Sequence, residues 1–486
     1  MKMTSTSASA MDDSAKIRRL NQHIAALVTS LGGFALGVTL GWNSSAGEVL
    51  RNILDASTTE IGLVGGILNA GACVGVMLVP FLMKYLDCTV IMLLTVPGFI
   101  VGWTFVCFAD QEVRVSLFII GRFICGTSGG AFCVLTPIYI AEIADRNSRE
   151  RLLTYFHLLI NCGIMYAFVI AHVLDEHDTV WRYSLACAIT CLMITLVNLL
   201  PESPLCYLMK NNEIKARKSL KWYRGETYED DAEMQELKRL AVMSQAGKVT
   251  IDTMKNRYVA RSFFACLFAF LTQQLSGVNI MIFYALTFFN VGGSGDLTGS
   301  EHTVVVGGLQ ILSCFLATCL IDVLGRRVLL TVSAALMGLF LILLGWFYEL
   351  RDEEPEYDDI YFWMPPTWTA LFLAAYNIGI GPISWSLLGD AFPMEIRTTA
   401  AASVVAFNWL LSLTATMTFG EMLVTLGVSK TLWLFAGFCW FAGALCALLV
   451  KETRGRSLAE IQDSFEIEHG RVETDENREP NTGQTR

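Results

Sequence analysis

Residues 329–348 read LLTVSAALMGLFLILLGWFY, twenty consecutive residues without a charge. A helix needs about 20 such residues to cross the roughly 30 Å hydrocarbon layer of a membrane. Eleven further apolar runs alternate with polar breaks along the 486 residues, of which 53% are apolar and 16% charged, with a mean hydropathy of +0.49. Because the runs are continuous rather than alternating with period two, they predict helices and not the strands of a barrel.

The twelve apolar runs fall into two groups of six. We predict spans at residues 22–44, 59–81, 90–109, 116–138, 152–174 and 182–200, and then at 258–290, 303–321, 329–348, 367–391, 399–426 and 431–450. Within the two bundles, 22–200 and 258–450, the segments are apolar, whereas 1–21, 201–257 and 451–486 are polar. The middle polar segment is rich in helix formers and is expected to contain short helices. The tail is expected to be disordered. The sequence therefore predicts an all-α membrane protein with two six-helix bundles joined by a helical linker.

Basic residues near the membrane predict the orientation, because Lys and Arg accumulate in cytoplasmic loops. One side carries eleven Lys or Arg between Pro201 and Arg257, and also Arg146, Arg149, Arg151, Arg326, Arg327 and Arg397. The other side has few basic residues, and its loop at 352–359 is acidic. We therefore expect the linker and both termini to be cytoplasmic.

Composition also argues against several classes of function. The formal net charge of −10 disfavours nucleic-acid binding. Most of the 14 cysteines fall inside apolar runs, where they behave as small apolar residues, and no Cys/His cluster has the spacing of a metal site. No nucleophile and base stand at a spacing suited to catalysis. We therefore expect no enzyme activity, no metal or other cofactor, and no obligatory protein partner.

Charged residues recur at equivalent places in the two halves. Glu142 precedes Arg149 by seven residues after span 4, and Asp390 precedes Arg397 by seven after span 10. Duplicated halves rock about a central site in many transporters, so these charges are expected to pair when one side closes and to separate when it opens. For each charge alone, a solvated loop position is the alternative. The predicted lock comprises Asp87, Glu142, Arg149, Glu202, Asp322, Arg326, Arg327, Asp390, Arg397 and Glu452.

Span 7 contains three carboxamides within an apolar helix, since residues 271–279 read LTQQLSGVN. Amides offer donors and acceptors without charge, as a neutral polyol requires, whereas an ionic substrate calls for an opposing charge. Asn279 lies about 140° from Gln274 on an ideal helix. A local break at Ser276 and Gly277 is therefore expected to aim Gln273, Gln274 and Asn279 inward. The alternative is that the amides join neighbouring helices.

Further polar and aromatic residues lie in other spans. Tyr284 shares a helical face with Gln273, and other spans contribute His157, Asn161, Gln310, Asn377, Trp385, Asn408 and Trp409. A Trp ring suits the apolar face of a sugar, but packing explains either Trp equally well, and His157 alone equally suits a structural role. Span 10 also contains Gly379-Ile-Gly381-Pro382, which predicts a flexible gate or a static kink.

Seven motifs in this order resemble the sugar porter family of the major facilitator superfamily, particularly animal facilitative glucose carriers and insect trehalose carriers. They are Gly121-Arg122, Pro137-Ile-Tyr139-Ile-Ala-Glu142, Pro201-Glu202-Ser203-Pro204, Gln273-Gln274-x-Ser276-Gly277-x-Asn279, Gly325-Arg326-Arg327, Gly381-Pro382-Ile383-x-Trp385 and Glu452-Thr453-Arg454-Gly455-Arg456. The resemblance covers about residues 20–460. It implies a major facilitator fold, alternating access without ATP, and a central sugar site lined by Gln273, Gln274, Asn279, Gln310, Trp385 and Asn408.

The chain departs from the family's pattern at several positions. Proton-coupled members carry an Asp after a Gly-aromatic pair in span 1, whereas Asn43 stands there in this chain, and an amide takes up no proton. This favours uniport and leaves Arg122 without that carboxylate. His157 occupies the place of a sugar-contacting Gln. The loop after span 2 lacks the family's cations at Cys88 and Thr89, so the lock is expected to be thinner in the first half.

Together with the resemblance, these residues predict a facilitative carrier in the plasma membrane for glucose or a related hexose, or for trehalose. Its expected partners are the sugar and the lipid bilayer. The predicted substrate-binding residues are Gln273, Gln274, Asn279, Tyr284, Gln310, Trp385, Asn408, His157 and Asn43. One alternative is a proton-coupled sugar symporter, which a flux indifferent to pH gradients would exclude. The other is a sugar sensor that does not transport, motivated by the eroded motifs but disfavoured by a tail of only about 35 residues.

Overall fold

A computed structural model describes residues 20–44, 58–109, 115–174, 180–228, 231–246, 257–283, 299–353, 361, 363–389 and 391–450. Within these ranges, twelve helices are long and apolar enough to cross a membrane. This confirms the predicted all-α membrane fold with twelve spans. The tail at 451–486, expected to be disordered, lies outside the described residues.

The first six spans are Leu20–Ser44, Thr58–Leu82, Cys88–Phe108, Val115–Ile143, Arg149–Val173 and Val180–Ile189, the last continued by a 3₁₀-helix at Thr190–Leu199. Spans 7 to 12 are Arg257–Leu275 with Val278–Phe283, Gly299–Leu324, Arg326–Glu353, Met364–Ile378 with Ile380–Leu387, Arg397–Leu426 and Val428–Leu449. Spans 7 and 10 are each divided in two. Both divisions fall where the sequence predicted a break or a kink.

In its described part, the segment between the two bundles contains three linker helices, at Pro204–Met209, Glu213–Arg224 and Asp231–Ala246. Ser203 and Asn212 begin the first two, because their side-chain oxygens accept hydrogen bonds from backbone N–H groups three residues later. Apolar side chains of the three helices, including Leu205, Leu220 and Leu237, pack into a small core of their own. We call the end of the bundle that carries these helices the linker side.

Glycine permits close packing inside the first half. Gly126 of span 4 lies against the carbonyl of Leu68 in span 2, and Gly163 of span 5 lies against the carbonyl of Phe34 in span 1. A methyl group at either glycine would overlap the facing backbone. Close approach of this kind is how small residues hold helices together in a membrane, where lipid is as apolar as the helix surface.

The two halves meet mainly through spans 2 and 11 and through spans 5 and 8. Gly66 of span 2 faces Met417 of span 11, and Gly307 of span 8 faces Met165 of span 5. The second piece of span 10 also contacts spans 4 and 5. Spans 5, 7, 8, 10 and 11 therefore enclose the boundary between the halves, where the predicted polar residues lie.

Candidate functional site

The break in span 7 lies where the sequence predicted it. Gly277 has φ of +77°, a conformation that favours glycine, and it separates the helices that end at Leu275 and begin at Val278. The Ser276 hydroxyl donates to the Gln273 carbonyl at 2.7 Å, and the Gly277 N–H donates to the Gln274 carbonyl at 3.2 Å. Local bonds thus satisfy backbone groups that the break would otherwise leave unpaired in an apolar medium.

The break brings the amides of span 7 together. Asn279 donates to Gln274 Oε1 at 2.7 Å and to the hydroxyl of Ser412 in span 11 at 2.7 Å. Gln274 in turn donates to Asn408 Oδ1 at 2.7 Å, and Gln273 donates to the hydroxyl of Tyr376 in span 10 at 2.5 Å. Gln274, Asn279 and Asn408 therefore form one hydrogen-bonded network with Ser412 between spans 7 and 11, and Gln273 separately joins span 7 to span 10.

Hydrogen-bonding atoms of this site remain unused. The atoms that are buried and have no partner in the described part of the chain include Gln273 Oε1, Gln310 Nε2, Gln310 Oε1, Trp385 Nε1, Asn408 Nδ2 and His157 Nδ1. Unpaired buried polar atoms are uncommon and costly in folded proteins. This group contains both donors and acceptors but no charged side chain, and a neutral ligand with many hydroxyl groups would satisfy it.

Trp385 stands between aromatic rings from both halves. Its ring contacts Phe156 of span 5 edge to face at 5.6 Å and Phe270 of span 7 at 5.0 Å between centroids. Aromatic pairs prefer this geometry because the edge of one ring is positive and the face of the other negative. The indole ring is thus fixed at the boundary between the halves.

His157 and Asn161 of span 5 both reach Asn377 of span 10. His157 Nε2 lies 2.9 Å from Asn377 Oδ1, and Asn161 Nδ2 donates to the same oxygen at 2.7 Å. All three side chains are buried. Hydrogen bonds therefore cross between the halves near the sugar-site candidates.

Arg122 is fully buried in span 4. Its guanidinium donates to the carbonyls of Thr39 in span 1 and Val64 in span 2, and it lies 5.2 Å from the ring centroid of Trp42. Backbone carbonyls and a π face thus offset a charge that is expensive in an apolar medium. Asn43 lies against Gly65 of span 2.

Ion pairs connect the halves on the linker side. Arg397 pairs with Glu142, and their side chains are 4% and 9% exposed. Arg151 pairs with Asp322. Arg326 Nε lies 3.5 Å from Glu150 Oε1, with side chains 0% and 7% exposed. Each pair takes one residue from each half, so this side of the bundle is closed.

Other predicted lock residues join the first half to the linker. Asp87 pairs with Lys210, directly after the first linker helix, and accepts a hydrogen bond from the Cys206 thiol of that helix. Glu202 accepts hydrogen bonds from the Thr89 N–H at 3.0 Å and the Thr89 hydroxyl at 2.7 Å. These contacts attach the linker to the loop after span 2.

The pKa values of these two carboxyl groups differ in direction. Burial alone would raise the pKa of Asp87, but the hydrogen bonds from Lys210 and Cys206 hold it below its usual value. Burial raises the pKa of Glu202 above its usual value, although hydrogen bonds from Thr89 and Ser203 oppose that rise.

The structure gives less detail on the remaining predicted site and lock residues. Arg149 is buried at the start of span 5, while Arg327 is exposed and makes no ion pair within the described ranges. Tyr284, Asp390 and Glu452 lie outside the described residues.

Sequence reasoning did not identify several participants. Tyr376 and Ser412 receive hydrogen bonds from the span 7 amides, and Glu150 pairs with Arg326. Two of them had a usable signal, because Tyr376 is next to Asn377 and Glu150 lies between Arg149 and Arg151. Ser412 had none, since a serine inside an apolar helix usually bonds its own backbone.

Twelve spans in two halves, closed by ion pairs on one side and enclosing a neutral polar network, define a transporter of the major facilitator fold rather than an enzyme. Residues 10–465 match the family described as "Sugar (and other) transporter". The chain belongs to this sugar transporter family.

Curated relatives and solved structures agree with that assignment. The chain is 32% identical to facilitated trehalose transporter Tret1 of Bombyx mori over 443 residues, covering 91% of this chain and 86% of the relative. It is 29% identical to Tret1 of Apis mellifera ligustica over 460 residues, covering 92% and 89%.

Among solved structures, the XylE proton:xylose symporter bound to 6-bromo-6-deoxy-D-glucose is similar at a TM-score of 0.80 and 21% identity, covering 92% of this chain and 100% of that chain. The inward-open form of XylE from E. coli is less similar, at a TM-score of 0.68 and 21% identity, covering 90% and 98%. These similarities concern the fold.

Proposed function

We propose that this chain carries a neutral sugar down its concentration gradient by alternating access, with glucose, a related hexose or trehalose as the substrate. The observation that carries the proposal is the set of buried, unpartnered atoms on Gln273, Gln310, Trp385, Asn408 and His157. None of these side chains is an acid, a lysine or an arginine, so the site matches hydroxyl groups better than a carboxylate or an ammonium group.

The proposed sugar site comprises the amides and aromatic residues around the break in span 7. Gln274 and Asn279 orient the site, because their amides are already bonded to Asn408 and Ser412. Gln310 offers the sugar both a donor and an acceptor, since neither of its amide atoms has a partner in the described ranges. Tyr284 and Asn43 complete the proposed set as predictions from the sequence.

Trehalose is a substrate to test first, because the relatives from Bombyx mori and Apis mellifera ligustica carry facilitated trehalose transport in their names. Transport without proton coupling is supported by Asn43, which cannot take up a proton in place of an Asp. It is supported also by Arg122, whose described contacts are carbonyls and an indole ring rather than a carboxylate.

The proposed location is the plasma membrane with both termini in the cytoplasm. The linker side carries Lys210, Lys215, Arg217, Lys218 and Lys221 in and near its first two helices. An excess of Lys and Arg in short loops marks the cytoplasmic side. The ion pairs between the halves would then close the cytoplasmic entrance.

Competition for uptake of a labelled sugar tests the substrate class. In cells expressing the chain, unlabelled glucose or trehalose should inhibit uptake, while glucuronate should not, because the site lacks a cation to balance its carboxylate. Gln310→Leu should lower uptake at least about tenfold, since it removes both unpaired amide atoms. The exposed Gln235→Leu is the matched control. Inhibition by glucuronate but not by the neutral sugars would contradict the proposal.

A further inference from the structure

Span 10 is interrupted at Gly379, and Ser333 of span 9 stabilises the interruption with hydrogen bonds. Ile380 N–H donates to the Ser333 hydroxyl oxygen at 3.0 Å, and that hydroxyl donates to the Ala375 carbonyl at 2.7 Å. A side chain at Gly379 would overlap Ser333 and the carbonyl of Leu329. One serine therefore satisfies backbone groups on both sides of the break, which is how an interrupted helix survives inside a membrane. The break is a hinge supported by its own half.

The opposite face of this hinge is bonded to the other half. Asn377 lies two residues before Gly379, and its Oδ1 accepts from His157 and Asn161 of span 5. Beyond the break, a side chain at Gly381 would overlap His157 Nε2. His157 therefore contacts span 10 on both sides of its hinge. With Asn377 and Asn161 it forms what we call the hinge latch.

The hydrogen bonds of Asn377 fix which nitrogen of His157 carries hydrogen. Asn377 Nδ2 donates to the Leu373 carbonyl at 2.8 Å, so its Oδ1 must face span 5. Flipping the amide would oppose two acceptors at Leu373 and two donors at Asn161. His157 Nε2 must therefore donate, and Nδ1 presents a lone pair. That atom is buried and has no partner in the described ranges.

We propose that the hinge latch holds span 10 against the first half while the linker side is closed. We also propose that His157 makes the strength of the latch depend on sugar binding. This inference rests on the proposed function. A sugar hydroxyl that donates to Nδ1 keeps the hydrogen on Nε2, and so reinforces the bond to Asn377. Asn377 itself has no free atom for sugar, because its oxygen accepts twice and its nitrogen donates to its own helix. It acts on transport only through the hinge.

The apparent affinity for sugar, measured from each side of the membrane, distinguishes a residue of the hinge latch from a residue that contacts the sugar. A carrier binds sugar from one side only when it faces that side, so the apparent constant scales with the population of that state. Asn377→Ala should shift the population toward the state open on the linker side. The KM for sugar arriving from the linker side should fall and that from the other side should rise, changing their ratio about fivefold.

Entry and exit of labelled sugar in oocytes measure the two constants. His157→Ala should change the ratio in the same direction, and His157→Gln, which retains an N–H donor, should return it toward the native value. Gln273→Ala is the comparison, because the loss of a sugar contact alone raises both KM values together. The inference is overturned if Asn377→Ala raises both values together or leaves their ratio unchanged. Absence of saturable flux in the native chain would instead reject the proposed function.

Hydrogen exchange gives a second measurement that does not depend on flux. In purified Asn377→Ala protein, amide exchange in residues 137–146, around Glu142, should accelerate because the linker side opens more often. The same peptides should exchange at the native rate in the His157→Gln protein. Native exchange in both the Asn377→Ala and the His157→Ala protein would overturn the latch.

Discussion

Arg397 of span 11 and Glu142 of span 4 form a largely buried ion pair, and the same carboxylate also accepts a hydrogen bond from Ser203. Ser203 is the N-cap of the first linker helix. One acidic group thus connects the first half, the second half and the linker. We expect the linker to respond whenever the halves separate on this side, because Glu142 cannot lose one partner without affecting the other.

Removal of Arg397 should open the linker side. Arg397→Ala leaves the largely buried Glu142 carboxylate without its cation, and the cost approaches the roughly 3–5 kcal/mol of breaking a fully buried pair. We predict a strong loss of uptake, together with faster hydrogen exchange at the linker-side ends of spans 4 and 5. The control is Arg327→Ala, which removes an exposed arginine with no ion pair in the described ranges. Equal effects of the two substitutions would show that the pair does not control closure.

Gln273 should be needed for transport but not for folding. Gln273→Ala removes an unpaired acceptor, Oε1, and the donor to Tyr376. A sugar hydroxyl left without a partner in a dry site costs about 1–3 kcal/mol, which corresponds to a loss of roughly tenfold or more in kcat/KM. Surface biotinylation should show normal amounts of protein, as it should for Gln235→Ala on the exposed linker. Unchanged uptake would remove Gln273 from the site.

The break in span 7 should depend on Gly277 for two separate reasons. The left-handed conformation costs a residue with a side chain about 1–2 kcal/mol. A Cβ at this position would also overlap the ring of Phe435. Gly427 has a similar φ of +79° but open space around it. We predict that Gly277→Ala lowers uptake strongly and Gly427→Ala only slightly, measured per molecule at the surface. Equal effects would mean that conformation alone matters and that packing on Phe435 does not.

The contact between Thr89 and Glu202 should contribute a stability that depends on pH. Burial raises the pKa of Glu202, so this carboxyl is protonated at acidic pH and ionised above its raised pKa. The Thr89 hydroxyl stabilises the ionised form, and Thr89→Val should therefore destabilise the protein by about 1 kcal/mol at pH 8. The difference from the native chain should shrink as pH falls through that pKa. Thermal unfolding in detergent along a series of pH values measures it, and a difference that stays constant as the carboxyl titrates would contradict this role.

The sequence was a good guide where local chemistry decides the structure. Continuous apolar runs such as 329–348 predicted all twelve spans. In a membrane, the backbone N–H and C=O groups of each span must form hydrogen bonds within their own helix. The geometry of an ideal helix also predicted the break between Gln274 and Asn279, which bond to each other across it. In both cases the constraint acts within one segment of chain.

Partners between distant segments could not be predicted in this way. Missing cations at Cys88 and Thr89 suggested a thinner lock, yet Thr89 itself binds Glu202, and Lys210 pairs with Asp87. Ser333 supports the hinge of span 10 from span 9, although nothing in its local sequence indicates that contact. Such pairings depend on how whole helices cross, which a hydrophobic pattern does not determine.

The central claim is passive sugar transport, and uptake by purified protein in liposomes tests it most directly. Labelled glucose and trehalose would be supplied at equal concentration, with and without an imposed pH gradient, and with empty liposomes as the control. We predict saturable entry of at least one sugar at a rate that the gradient does not change. Accumulation above equilibrium driven by the gradient would show a proton symporter, and binding without entry would show a sensor; either result would contradict the account.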